Sequence, residues 1–192
     1  AVTRFLADRG LELSEEKTSF THLSAGFDFL GQHLRLTDGR LIITPARKNV
    51  QTFLDNVRRT VHKMRAAPAL DLIRKLTPMI RGWAMYHRHI CAAKTFHAID
   101  YTIVQLLRKW AKRRHAHRKS ALWQKRKYFR TAKNCDWVFT AKDEEGNDVD
   151  LFQAASVKIK RWPRIKAAAN TFDPEWEKYF ERRQQERMAE KF

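Results

Sequence analysis

Between Val50 and Trp110 the apolar residues recur at intervals of three and four, and prolines interrupt the pattern at Pro68 and Pro78. Val50, Phe53, Leu54, Val57, Val61 and Met64 form one stripe on a helix of about five turns. A second piece carries Leu72, Ile73 and Leu76, a third Met79, Ile80, Trp83 and Tyr86, and a fourth Phe96, Ile99, Ile103, Leu106, Leu107 and Trp110. A stripe of this kind covers one face of a helix and must be buried against another element. Short links between the stripes leave an antiparallel helical bundle as the expected architecture. Thr44-Pro45 and Thr77-Pro78 read as helix starts, a hydroxyl cap followed by proline at the first helical position. Trp83 and Trp110 fall on the stripes and read as core.

The flanks follow other rules. Val2–Asp8 is a short helical stretch closed by Gly10. Alternating runs follow at Phe20–Leu23 and Phe27–Leu36, and Asp38-Gly39 is a hairpin turn returning through Leu41, Ile42 and Ile43. Beyond the bundle, Ser120–Phe129 reads as a short helix. Trp137-Val138-Phe139 and Val149–Phe152 flank a turn-rich segment and predict a second hairpin. Asp173-Pro174-Glu175 starts a last helix. The expected fold class is α+β and mostly α: a small antiparallel β end, a helical bundle, then a mainly helical region with a β-hairpin.

Charge sets the partner class. The 192 residues carry 39 Lys and Arg against 21 Asp and Glu, for a net charge of +18. The excess is concentrated. From Tyr101 to Cys135 there is no acidic residue, while Arg108, Lys109, Lys112, Arg113, Arg114, Arg118, Lys119, Lys125, Arg126, Lys127, Arg130 and Lys133 fall inside that stretch. Solvated faces normally mix signs, so an unbalanced run calls for a polyanion. A membrane surface would need a free apolar face, and Leu106, Leu107 and Trp110 are required to close the bundle, so no membrane partner is expected. No apolar run is long enough to span a bilayer and no secretory signal opens the chain. Two cysteines, Cys91 and Cys135, cannot build a disulfide framework, and a reducing compartment is expected. A start at Ala1 and an end within a charged helical pattern suggest a piece of something longer.

Several chemistries can be weighed directly. Trp110, Trp123, Tyr128 and Phe129 interleave with the cations, a combination suited to unstacked RNA bases. His87 and Cys91 share a helix face, but His89 does not and no third ligand follows, so no metal site is expected. His115 and His117 sit inside the basic run and read as RNA-contacting or solvent-exposed. Asp148 and Asp150 are the nearest carboxylate pair and read as surface.

Ordered motifs narrow this further. The run Gly10-Leu11-Glu12-Leu13-Ser14-Glu15-Glu16-Lys17-Thr18, followed by Gly26-Phe27-Asp28-Phe29-Leu30-Gly31, resembles the end of the palm of a group II intron reverse transcriptase. Ile80-Arg81-Gly82-Trp83-Ala84-Met85-Tyr86-His87-Arg88 resembles that family's thumb signature. Phe96–Asp100, Arg108–His115, and Tyr179-Phe180 with Arg182 resemble its maturase-specific region, domain X. The pieces occur in the family's order along essentially the whole chain.

The resemblance implies a division by role: residues 1–43 as the end of the palm with its primer-grip hairpin, 44–92 as the thumb, and 93–192 as domain X. It implies a place for Lys17 near the triphosphate of an incoming nucleotide, where an ammonium would stabilise the leaving pyrophosphate. Gly26, Phe27, Phe29, Leu30 and Gly31 match the primer grip. Arg47, Lys48, Arg58, Arg81 and Arg88 become thumb contacts to a template–primer duplex. Arg108, Lys109, Lys112, Arg113, Arg114, His115, Arg118, Lys119, Lys125, Arg126, Lys127 and Arg130 become contacts to intron RNA. Implied partners are the intron RNA, an RNA/DNA primer–template, and the upstream palm and fingers of the same polypeptide.

The family's paired aspartates would lie upstream of Ala1, so magnesium ions are expected only in that missing palm, no cofactor is expected on this chain, and the chain alone is not expected to polymerise DNA. Two other readings stay open: a subunit of a split reverse transcriptase whose palm is on another chain, and a general RNA chaperone. The compartment would be the bacterial cytoplasm, or an organelle for a member encoded in an organellar genome.

Overall fold

A computed structural model describes residues 2–12, 14, 18, 20–115, 120–132, 135–160, 165, 166 and 168–189. It divides into two compact units, Ala1–Lys160 and Arg161–Phe192. Its α+β class follows the expectation, with helices dominating and two small antiparallel sheets.

The first unit opens with helix α1 (Val2–Ala7), which ends at Gly10 in the left-handed region. Strands β1 (Phe27–Phe29), β2 (Gln32–Thr37) and β3 (Arg40–Pro45) form a meander in the order β1-β2-β3. The β2–β3 turn is Asp38-Gly39, both at positive φ, the two-residue hairpin that Asp-Gly specifies. The β1–β2 turn has the same geometry at Leu30 (φ 48°) and Gly31 (φ 76°). Phe20–Leu23 forms no strand.

The bundle is built from α2 (Arg47–Lys63), α3 (Ala69–His87) and α4 (Ala93–Arg114). Their stripes bury Phe53, Leu54, Val57 and Val61 of α2, Leu72, Ile73, Leu76, Ile80 and Ala84 of α3, and Phe96, Ile99, Ile103, Leu107 and Trp110 of α4 in one core. Trp83 packs against that core from a half-buried position.

Two of the expected boundaries are corrected. Thr77-Pro78 does not restart a helix; Pro78 lies inside a continuous α3. Proline there removes the N–H that would bond the carbonyl of Arg74, but both residues are on the exposed face, where water can serve that carbonyl. Thr44-Pro45 is not a helix start either. Pro45 ends β3 opposite Gln32, and Ala46, whose N–H donates to Gly31 O (2.9 Å), precedes the helix. A sheet end tolerates proline because no further ladder bond is needed.

Helix α5 (Ala121–Tyr128) starts at Ser120, whose hydroxyl accepts from the Trp123 N–H at 3.2 Å. It runs directly into β4 (Phe129–Ala132), which pairs with β5 (Cys135–Lys142), and β5 pairs with β6 (Asp148–Asp150). The expected hairpin is therefore the outer part of a three-stranded sheet. Phe129, Val138, Phe139 and Leu151 are buried, and all but Val138 join the core of the helices. A 3-10 turn, Ala154–Ser156, is fastened by Asp100 of α4, whose carboxylate accepts from the N–H groups of Ala154 (2.9 Å) and Ala155 (2.8 Å). Burial raises the Asp100 carboxyl above its ordinary range, and those two N–H bonds oppose the rise.

The second unit has a 3-10 turn, Pro174–Trp176, capped by the Asp173 carboxylate accepting from the Glu175 N–H (3.0 Å), and then α6 (Glu177–Ala189). The Lys166 ammonium lies over the rings of Trp176 and Tyr179.

Candidate nucleic-acid interface

The apolar stripe of α4 fixes where its cations go. With Ile103, Leu107, Trp110 and Ala111 turned inward, Arg108, Lys109, Lys112 and Arg113 are forced onto the opposite, exposed face. The N-capped α5 lies alongside and presents Lys125, Arg126 and Lys127. Between α4, α5 and the sheet is a groove of about 650 Å³, lined by Arg108, Lys109, Lys112, His115 and Lys125 together with Gln105, Leu122, Gln124, Phe129 and Trp137. None of its lining residues among those described is acidic.

A second groove of about 780 Å³ lies on the other flank of α4, against α2. Arg58, Lys109, Arg113 and Arg114 are on its walls, with Arg59, His62, Lys63 and Arg65. Lys109 borders both grooves. The four α2-end residues were not among the candidates, although the run Arg58-Arg59-Thr60-Val61-His62-Lys63-Met64-Arg65 carried a visible excess of basic groups.

The cations differ in how they are held. Arg108 stacks its guanidinium over the Trp137 ring (4.7 Å), and the Lys125 ammonium lies 4.5 Å from the same ring. Arg114 donates to Ala67 O (2.9 Å) and lies over Trp110. Lys127 lies over Trp123 and Tyr128. These contacts fix orientation while leaving the charge uncompensated. Arg130 and Arg58 are compensated. Asp150 grips Arg130 through two bonds (2.8 and 2.6 Å), with Asp148 at 4.0 Å, and Asp55 accepts from Arg58 at 2.5 Å. The Arg58 pair lowers the Asp55 carboxyl, and the Asp150 pair raises the Arg130 guanidinium. Because Asp148 and Asp150 are committed to Arg130, they do not fit a pair of metal-holding carboxylates.

Of the aromatics of the basic stretch, Trp110 is core as its stripe predicts, while Tyr128 and Phe129 are placed otherwise than expected. Trp110, Tyr128 and Phe129 are buried in the core, and Trp110 and Tyr128 pack edge to face at 5.4 Å. Trp123 is half-buried against His115 at 5.0 Å, and the His115 imidazole shares a hydrogen bond with the Tyr128 hydroxyl (2.7 Å). Core burial of three of the four closes their faces to a base, a correction that periodicity around Trp110 alone could not extend to the irregular segment after it.

Around the N-terminal sheet, register puts Phe27, Phe29, Leu34, Leu36, Leu41 and Ile43 on one face. Phe29 is 60% and Leu41 53% exposed. The Leu30-Gly31 turn is tied down: Tyr86 donates its hydroxyl proton to Leu30 O (2.6 Å), and Asn49 closes on Gly31, where a Cβ would meet its amide nitrogen at 2.7 Å. Asn49 Oδ1 in turn accepts from Trp83 Nε1 (2.8 Å) and from His87 Nε2 (3.1 Å). His87 is fully buried with Nδ1 unpartnered, and burial lowers its pKa to about 4. His87 is therefore a neutral core residue. Exposed Cys91 follows it, and no group of three metal-ligating side chains occurs among the described residues.

Of the remaining candidates, Arg47 and Lys48 are exposed at the start of α2, near the tied turn. Arg81 is exposed on α3 over the Phe152 ring (5.0 Å), and Arg88 is half-buried beside His89. Lys17, Arg118 and Lys119, with His117 and Lys133, lie outside the described residues. No helix among the described residues is long and apolar enough to cross a membrane.

Comparison with known proteins gives two matches. Residues 50–129 match the family model described as "Group II intron, maturase-specific domain", so the match spans all but the start of α2, all of α3, α4 and α5, and every lining residue of the basic groove except Trp137. A Euglena gracilis protein named Maturase-like protein 1 is 29% identical over 91 residues, which is 46% of this chain and 20% of that relative. The matched segment thus spans about a fifth of the relative's length.

Proposed function

From a chain that carries the maturase-specific domain of group II introns over residues 50–129, we propose that this protein binds intron RNA through the groove between α4, α5 and the sheet and thereby promotes splicing. The observation that carries the reading is the set Arg108, Lys109, Lys112 and Lys125, which converges on one groove with no carboxylate on its walls. Each phosphate neutralised there releases condensed counterions. Cations held on a rigid scaffold favour whichever RNA fold they bind best, and that is how binding promotes folding for splicing.

The division by role is part of the proposal. Residues 1–43 serve as the end of a palm, 44–92 as a thumb holding template and primer through Arg47, Lys48, Arg81 and Arg88, and 93–192 as domain X. The exposed apolar face of Phe27, Phe29, Leu36 and Leu41 supports a neighbouring palm, on the same polypeptide or on another chain. Lys17 would serve that palm's nucleotide. Bond making and its magnesium ions belong there, and this portion acts by holding nucleic acid. An organellar setting is consistent with the Euglena relative.

Binding to a group II intron RNA, measured at several salt concentrations with an unrelated structured RNA as competitor, tests the reading. Neutralising six or more phosphates predicts an affinity loss on the order of a thousand-fold between about 50 and about 200 mM salt. Preference for the intron that persists at the higher salt supports a maturase. Equal loss of both RNAs favours a general RNA chaperone instead.

A further inference from the structure

Behind the basic groove lies a third one, of about 910 Å³, and its chemistry is different. Gln105, Arg108 and Trp137 line both, so the two grooves adjoin along one edge. The basic groove gathers four Lys and Arg side chains; the third holds one, Arg108. Its other walls include Tyr101, Val104 and Ser156.

Tyr101 stands out among the tyrosines near the basic surface. It is 68% exposed on α4, and no hydrogen bond, ring contact or cation engages it among the described residues. It lies four and seven residues before Gln105 and Arg108, on the same helix face. Across the groove, Asp100 pins the turn that carries Ser156, so the opposite wall is fixed. An open ring, amide and hydroxyl groups for a base edge, and a planar guanidinium already oriented on Trp137 are the components with which proteins capture an unpaired base.

We propose that this groove receives a single unpaired nucleotide of the bound RNA, its base stacked on Tyr101 and its phosphate on Arg108, while the adjoining strand runs through the basic groove. The proposal rests on the RNA-binding reading and deepens it. Phosphate contacts in the basic groove position the RNA, and the third groove selects for a base outside a helix. Double-helical RNA, which keeps its bases stacked, satisfies only the basic groove.

The test uses the full chain and two probes: a short single-stranded RNA and the same RNA annealed to its complement, both carrying a photoreactive uridine. The single strand is expected to bind tighter, and Tyr101→Ala to remove most of that advantage, by on the order of tenfold. The duplex affinity stays unchanged. Tyr101→Phe keeps the advantage, because stacking needs the ring and not the hydroxyl. Photocrosslinks of the single strand should map to Tyr101 or Trp137. Equal binding of both RNAs, or no effect of Tyr101→Ala with crosslinks confined to the α4–α5 lysines, overturns the pocket and leaves the basic groove standing. Failure to bind either RNA overturns the RNA-binding reading and the pocket with it.

Discussion

The two sheets have the same plan and opposite fates. Each is a three-stranded antiparallel meander in sequential order. In β4-β5-β6 the apolar residues Phe129 and Phe139, with Leu151 just after β6, enter the helical core, and Phe139 is 2% exposed. In β1-β2-β3 only the end near Ile43 and Pro45 meets the bundle, and Phe27, Phe29, Leu36 and Leu41 remain in solvent. Apolar alternation alone therefore does not tell a core sheet from a docking sheet. What decides is whether a helix packs on the apolar face: α3 and α4 pack against β5 of the second sheet. The second sheet is scaffolding for the basic groove, to which it gives Phe129 and Trp137, and the first leaves its apolar face exposed.

The contrast can be broken by substitution. Phe139→Ala should cost about 3–5 kcal/mol in chemical denaturation, because it leaves a cavity that neighbouring helices cannot fill. The matching change in the other sheet, Phe29→Ala, should shift stability by no more than about 0.5 kcal/mol. A loss of similar size in both would mean that the first sheet is also part of the core.

A pH series sharpens the link between the first sheet and the bundle. The folded pKa of His87 is depressed to about 4 from 6.5, so the unfolded chain binds the extra proton between those values. Its contribution to stability is present above about pH 6.5 and is lost as pH falls towards 4, at up to about 1.4 kcal/mol per pH unit. His87→Met should flatten that part of the profile. An unchanged slope would show that His87 is not the buried neutral group described here.

Smaller effects follow at single bonds. Asp100→Ala should cost about 1–2 kcal/mol by freeing the N–H groups of Ala154 and Ala155. Tyr86→Phe should cost about 1 kcal/mol or less and loosen the Leu30-Gly31 turn, read as faster amide exchange in residues 27–34.

Much of this was written in the sequence. The stripes of α2, α3 and α4 placed the core residues, and Ser120, Gly10 and Asp173 marked element ends, because capping and periodicity are local. Pro78 misled because its cost depends on solvent exposure, which is a tertiary property. Strand β4 was hidden because it follows α5 with no turn residue between Tyr128 and Phe129. The basic run announced a polyanion site, yet its convergence was not visible. Arg130 falls in the same charge excess as Lys109 and Lys112, but Asp150 reaches it only through folding, whereas Asp55 lies three residues before Arg58 on α2. Trp137 and Arg108, which line both grooves, lie 29 residues apart and carried no shared motif.

That distinction between compensated and uncompensated cations gives the most direct test. Affinity for a group II intron RNA would be measured against salt for the parent chain, Lys109→Ala/Lys112→Ala and Arg58→Ala/Arg130→Ala. The first pair should reduce the magnitude of the slope of log affinity against log salt by about 1.5–2, since two phosphate contacts are lost. The second pair should leave the slope within about 0.5 of the parent. Equal reductions for both pairs, or none for Lys109 and Lys112, would contradict the assignment of the α4–α5 groove as the RNA-binding face.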